Sequence, residues 1–252
     1  MTDIQLSMFD MSTIRHDSVC AIFGGRGVGK TTLIKDIVKK NQVNETDSSG
    51  VPLFKHKLTI DPLQIITGTV LTNNSNEYNF KNSDEDNNLK KFDTFMSLRK
   101  YDRDQNIRNN TPNEKSCIVF DNCNYTPFLK SEWFNKLFLE GRLYRIFAVL
   151  VFQYPCLPPV LRRNVGYSFH FYTTDSSIRR RQFNDYGGII PTFELYCMLL
   201  DMCKDGYNCL VINHNVHSTE LQKCIFWYKA ELHPDFEFVT SEMVTNTTEN
   251  TN

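Results

Sequence analysis

The sequence predicts an α/β protein: a three-layer sandwich with a mostly parallel central sheet, closed by a C-terminal β-hairpin. Three observations predict it. A glycine-rich turn, residues 24–29, stands between a short apolar run, Val19–Phe23, and a stretch with Leu33, Ile34, Ile37 and Val38 at helical spacing. Two more apolar runs, residues 117–121 and 146–153, are separated by a helix-like segment, the pattern of buried parallel strands joined by crossovers. Residues 209–213 and 223–228 then read as two strands of a terminal hairpin.

The turn carries the chemistry. Gly24, Gly29, Lys30 and Thr31 fill the fixed positions of G-x-x-x-x-G-K-[ST]. Strand, glycine loop and helix start, in that order, converge main-chain N–H groups on an anion, and the helix dipole adds positive potential. Gly24, Gly25, Arg26, Gly27, Val28, Gly29, Lys30, Thr31 and Thr32 are therefore the candidate nucleotide-binding residues. Lys30 is placed to reach the outer phosphates of ATP, and the Thr31 hydroxyl to ligate Mg²⁺. Such a site needs a second acid at the end of another buried strand. Asp121 ends the run Cys-Ile-Val-Phe-Asp and is the candidate second metal residue. Gln153 ends the most apolar run of the chain, and ligands collect at the carboxyl ends of parallel strands. It is the candidate sensor of the terminal phosphate.

The 252 residues, 40% of them apolar, suffice for one sizeable core. We expect one nucleotide-binding domain over residues 1–235, followed by a polar, disordered tail over 236–252. A net charge of −1 excludes a chain-wide basic nucleic-acid binder, so DNA contact requires a local patch or a ring of subunits. The eight cysteines fall mostly in apolar runs without a C-x-x-C pair, as expected for buried reduced thiols. No run approaches the ~18 apolar residues of a membrane span, and the start of the chain has no secretory pattern, so neither export nor membrane insertion is expected.

Elsewhere the reading is coarser. Residues 1–17 read as a polar lead-in covering a sheet edge. A helix from Lys30 should end near Lys39 or Lys40. Residues 57–61 (Lys-Leu-Thr-Ile-Asp) read as a second strand closed by Pro62, and 73–88 as a polar loop or disordered insert. A helix is expected over 89–101, a connector over 106–115, and helices over 128–140, 179–186 and 191–204. A strand is expected over 167–172, where Tyr167, Phe169 and Phe171 alternate with polar neighbours.

An ordered series narrows the comparison: Gly-Arg at 141–142, the apolar strand, Gln153-Tyr154-Pro155, then Pro158-Pro159-x-x-Arg162-x-Asn164. It resembles the genome-packaging ATPases of large double-stranded DNA viruses, the poxvirus-type branch of the FtsK–HerA superfamily of P-loop NTPases, over roughly residues 17–175. The resemblance implies a RecA/ASCE-like fold and an ATPase that translocates double-stranded DNA into a capsid. It further implies a homo-oligomeric ring, a hexamer or pentamer, working with a capsid or membrane protein at the packaging vertex, in the host cytoplasm and the virion. It assigns Mg²⁺ to Asp121, sensing to Gln153, and charge stabilisation across a subunit boundary to Arg162. Asn122 stands where the family usually has the water-activating acid; an amide orients water but cannot take its proton. Glu132 and Glu140 are substitute acids without positional support. Gly166 stands where the family often has an aspartate. The competing functions are a P-loop nucleotide or small-molecule kinase and a slow or non-hydrolysing ATP switch.

Arg142, Arg145 and Arg163 are further candidate charge stabilisers. Arg179-Arg180-Arg181 is the densest basic cluster, read first as a solvated helix face and second as a DNA contact. His214 and His217, with Cys209, lack the spacing of an ordinary zinc site and read as hairpin-loop residues.

Overall fold

The computed structural model describes residues 5–43, 63–67, 85–109, 116–121 and 129–234. The strands are β1 (Ser7–Met8), β2 (Val19–Phe23), β3 (Leu63–Thr67), β4 (Ser116–Asp121), β5 (Ile146–Phe152), β6 (Tyr167–Phe171), β7 (Asn208–Asn213) and β8 (Ile225–Lys229). They form one sheet in the order β1-β8-β7-β6-β2-β5-β4-β3. Among these strands β7 alone runs against the rest, being antiparallel to both of its neighbours, β6 and β8. Strands β2 and β5 lie at the centre with every residue buried, which is why they read as unbroken apolar runs rather than alternating ones.

Helices cover both faces. They are α1 (Lys30–Val43), α2 (Glu85–Asn109), α3 (Glu132–Glu140), α4 (Pro159–Arg162), α5 (Ser176–Tyr186), α6 (Phe193–Met202) and α7 (Leu221–Cys224). Successive side chains of a strand point to opposite faces. So Cys20 and Ile22 of β2 pack with Leu33, Ile34, Ile37 and Val38 of α1. Val19, Ala21 and Phe23 pack on the other face with Phe92 and Met96 of α2 and Phe134 and Leu137 of α3. This is the expected three-layer α/β sandwich. Several ends are capped by their own sequence: the side chains of Ser131, Asp175 and Thr192 accept amides of the first turns of α3, α5 and α6.

Local expectations were revised where tertiary pairing decided the outcome. A strand that the sequence reading did not anticipate occupies Leu63–Thr67, paired in parallel with β4 from Leu63↔Cys117 to Thr67↔Asp121; the strand expected over 57–61 lies outside the described residues. The helix expected over 89–101 extends to Glu85–Asn109, taking in part of the expected connector. Helix α1 runs three residues past Lys40. The lead-in does more than cover an edge. Phe9, Met11 and Ile14 enter the core beneath α1, while Ser7 and Met8 pair with Phe226 and Trp227 of β8. The expected tail, 236–252, lies outside the described residues.

Candidate functional site

The site forms where the C-terminal ends of β2, β5 and β4 lie side by side. Register fixes this: Phe23 pairs with Phe152, and Val151 with Asp121. The amide of Gly24 donates to the carbonyl of Phe152 at 3.1 Å, tying the start of the glycine loop to the end of β5. Gln153, the next residue, is exposed at that edge. Strand β5 thus separates the loop strand from the strand ending in Asp121.

The loop needs its glycines for two reasons. Gly27 and Gly29 have φ of +77° and +102°, a region disfavoured for residues with a Cβ. A Cβ on Gly24 would stand 2.8 Å from both Phe171 Cβ and Val28 Cγ2, inside contact distance. The ladder of α1 begins with Leu33 N–H donating to Gly29 C=O at 3.0 Å. The amides of Lys30, Thr31 and Thr32 precede that bond and have no carbonyl within the helix to accept them. They are the donors a phosphate takes up. Thr31 is exposed at the helix tip.

Lys30 and Asp121 face one another electrostatically. Burial lifts the Asp121 carboxyl above its ordinary range, while the Lys30 ammonium opposes the shift. Burial also lowers Lys30, with Asp121 pulling the other way. The Lys30 Nζ donates to the Gly25 carbonyl at 2.5 Å, folding back on the loop. The part-buried carboxylate, the exposed hydroxyl of Thr31 and the lysine form a donor set that fits a magnesium–triphosphate group. When bound, Mg²⁺ neutralises charge on phosphate oxygens.

Helix α1 is held from below by a contact the sequence did not signal. Asp36, fully buried on α1, accepts from Tyr228 OH at 2.5 Å, from Glu231 N–H at 3.1 Å and pairs with His233 Nε2 at 2.8 Å. The cluster of Asp36, Glu231 and His233 has metal-ligand geometry, but Lys40 Nζ lies 2.8 Å from Glu231 and 3.5 Å from Asp36, supplying the positive charge itself.

The other candidates distribute as follows. Asn122 lies outside the described residues. Arg162 pairs with Asp185 of α5 rather than with any residue of the loop, among the described residues. Glu132 pairs with Lys136 at 2.6 Å, and Glu140 accepts from Tyr144 OH at 3.0 Å. Arg142 and Arg163 line a cavity of about 180 Å³ with Val19, Ile146 and His214. Val19 and Ile146 begin their strands, so this cavity lies at the sheet edge opposite the loop. Arg145 sits in the left-handed region at φ 52°, its guanidinium 3.5 Å from His16. The triple arginine diverges. Arg179 donates to Thr173 O and Asp201, Arg180 lies 3.4 Å above the Phe193 ring, and Arg181 lies over Tyr154. His214 meets the Ser168 hydroxyl at 2.8 Å while His217 is exposed, so the two do not converge on a metal. Gly166 has a reason of its own: a Cβ there would stand 2.8 Å from Asn215 Nδ2.

No protein-family model matches the chain. Uncharacterized protein 088R of Invertebrate iridescent virus 3 is 30% identical over 134 residues, 51% of this chain and 50% of that protein. Uncharacterized protein L437 of Acanthamoeba polyphaga mimivirus is 28% identical over 116 residues, 45% of this chain and 41% of that one. The chain thus spans half or less of the length of these relatives. The genome packaging NTPase B204 of Sulfolobus turreted icosahedral virus 2, in complex with AMPPCP, superposes with TM-score 0.53 at 13% identity, over 87% of this chain and 100% of that one. EssC (ATPases 2 and 3) from Geobacillus thermodenitrificans superposes with TM-score 0.52 at 15% identity, over 91% and 42%. At such identities the likeness is one of fold. Taken with the glycine loop at the end of β2 and β5 set between β2 and β4, it establishes that this chain has the α/β fold of the P-loop NTPases.

Proposed function

We propose that the protein is an ATP-hydrolysing motor that moves double-stranded DNA into a viral capsid. The observation that carries the proposal is the convergence of three elements on one sheet edge: the glycine loop, Asp121 and Gln153. In this reading main-chain amides of residues 24–32 and Lys30 hold the triphosphate of ATP. Thr31 and Asp121 hold Mg²⁺. The Gln153 amide orients water at the terminal phosphate, with Asn122 a second orienting amide. Lys30 exchanges its bond to the Gly25 carbonyl for phosphate oxygens. The packaging NTPase B204 and the EssC ATPases named above support the same reading at the level of fold.

Hydrolysis would be completed between subunits. Arg162 lies at the end of α4, part-exposed, held by Asp185. In a ring of five or six copies it would leave Asp185 for the neighbour's phosphates, a contribution of about 10³–10⁵ in rate where such an arginine operates. DNA contact would then be made by the assembled ring through phosphate charge, and so be salt-sensitive and indifferent to base sequence. A capsid or membrane protein at the packaging vertex is the expected further partner, in the host cytoplasm and the virion. Among the described residues no helix is long and apolar enough to cross a membrane.

The insertion of β5 between β2 and β4 favours this reading over a nucleotide or small-molecule kinase. The deciding experiment measures ATP hydrolysis with and without duplex DNA, and the oligomeric mass with a non-hydrolysable analogue. Stimulation by duplex DNA together with ring assembly supports the motor. Phosphoryl transfer to a nucleoside or nucleotide, with no response to DNA, overturns it.

A further inference from the structure

Tyr207 is an exposed aromatic that borders the phosphate loop and has no role in the scheme above. It lies in the turn between α6 and β7, where Gly206 has φ +71° and Tyr207 itself φ +61°. That conformation suits glycine at both positions and is disfavoured for a tyrosine, yet the second is a tyrosine that is 68% exposed. Strained residues with no packing reward concentrate at ligand sites. The placement agrees. Strand β7 runs antiparallel to β6, so its first residues lie at the sheet edge where β6 ends and where the loop stands. The Cβ and Cδ1 of Tyr207 lie 3.5 and 3.6 Å from the point a Gly29 Cβ would occupy. The ring therefore flanks the last glycine of the loop, at the tip of α1.

Direction then follows from strand order. Asp121 on β4 and Gln153 after β5 lie on one side of β2; Tyr207, before β7, lies on the other. A triphosphate with its terminal group toward Gln153 and Asp121 has its nucleoside end directed toward β6 and β7. We propose that Tyr207 is a base-stacking shelf: its exposed ring takes the face of the nucleotide base while the loop takes the phosphates. This rests on the nucleotide-binding reading above. It specifies the ligand class as a nucleoside triphosphate rather than a bare polyphosphate. It also implies weak discrimination among bases, because every base offers a π-face.

The test titrates the full chain, with Mg²⁺, against ATP and against inorganic tripolyphosphate, comparing wild type with Tyr207→Phe and Tyr207→Gly. Glycine fits φ +61°, so the variant should melt at the wild-type temperature or above. The expected result is ATP binding about 5- to 150-fold weaker in Tyr207→Gly, the loss of one stacked base, and unchanged in Tyr207→Phe. Tripolyphosphate should bind all three alike. Wild-type ATP affinity in Tyr207→Gly overturns the shelf, as does a parallel loss for both ligands, which would make the residue a support of the loop. Wild-type protein that binds tripolyphosphate as tightly as ATP overturns the shelf and leaves the phosphate site standing. Wild-type protein that binds neither overturns both.

Discussion

The amide of Gly24 donates to the carbonyl of Phe152 at 3.1 Å, so the residue that opens the phosphate loop is bonded to the residue that precedes Gln153. The loop and β5 are thereby joined through main-chain atoms alone. The bond also sets the loop and Gln153 at one level on the sheet edge.

Lys30→Ala should abolish ATP binding or turnover. The lysine is half-buried and coupled electrostatically to the part-buried Asp121, and its removal takes the Lys30 charge from that carboxylate. Isothermal titration with ATP and Mg²⁺, alongside phosphate release, checks this; retained binding with lost turnover would restrict the lysine to chemistry.

Gln153→Ala should leave ATP affinity near wild type and lower turnover by about 100-fold, the scale of removing one preorganised donor. Its side chain is exposed at the edge, so the fold should tolerate the change. Equal losses in binding and turnover would assign it to ground-state binding instead.

Asn122→Asp should preserve or raise turnover, because a carboxylate accepts the proton that an amide cannot. Steady-state hydrolysis of the two proteins at matched ATP decides it. A sharp loss would mean that the amide itself is required.

Asp36→Asn should destabilise the protein by roughly 2–4 kcal/mol, because the buried carboxylate holds Tyr228, His233 and the Glu231 amide against α1. Tyr228→Phe removes one of these bonds and should cost about 1 kcal/mol. Urea midpoints of the two variants should fall in that order, Asp36→Asn lower.

Stability should fall on acidification from about pH 6.5, the ordinary histidine value. His170 is fully buried between Ser168 and Tyr196, and burial, helped by His214, pushes its pKa down to about 3. Burial likewise pushes His214 down to about 4. The folded value is the lower one, so the unfolded chain takes the proton first. The stability is complete above about pH 6.5 and is lost as pH falls from there toward the folded values, at about 1.4 kcal/mol per pH unit per histidine. Urea unfolding at about pH 7 and pH 5 should show it, and His170→Gln should flatten the slope.

The residues of the phosphate loop, the acid of β4 and the glutamine after β5 were legible in the order of the chain because each ends a run whose apolar character reports burial on both faces. Local chemistry also set the caps at Ser131, Asp175 and Thr192. Strand order was legible only as an expectation, since sequence carries no distance between β2 and β5; backbone pairing placed β5 beside the loop. The Leu63–Thr67 strand went unread for the same reason: its identity comes from pairing with β4, not from its own pattern. Phe171 against Gly24, Asp185 on Arg162, Asp36 under Tyr228 and Tyr207 beside Gly29 join residues 23 to 192 positions apart. No periodicity connects them. Only the assembled sheet and its packed helices bring such side chains together, because burial rewards whichever partners the fold makes neighbours.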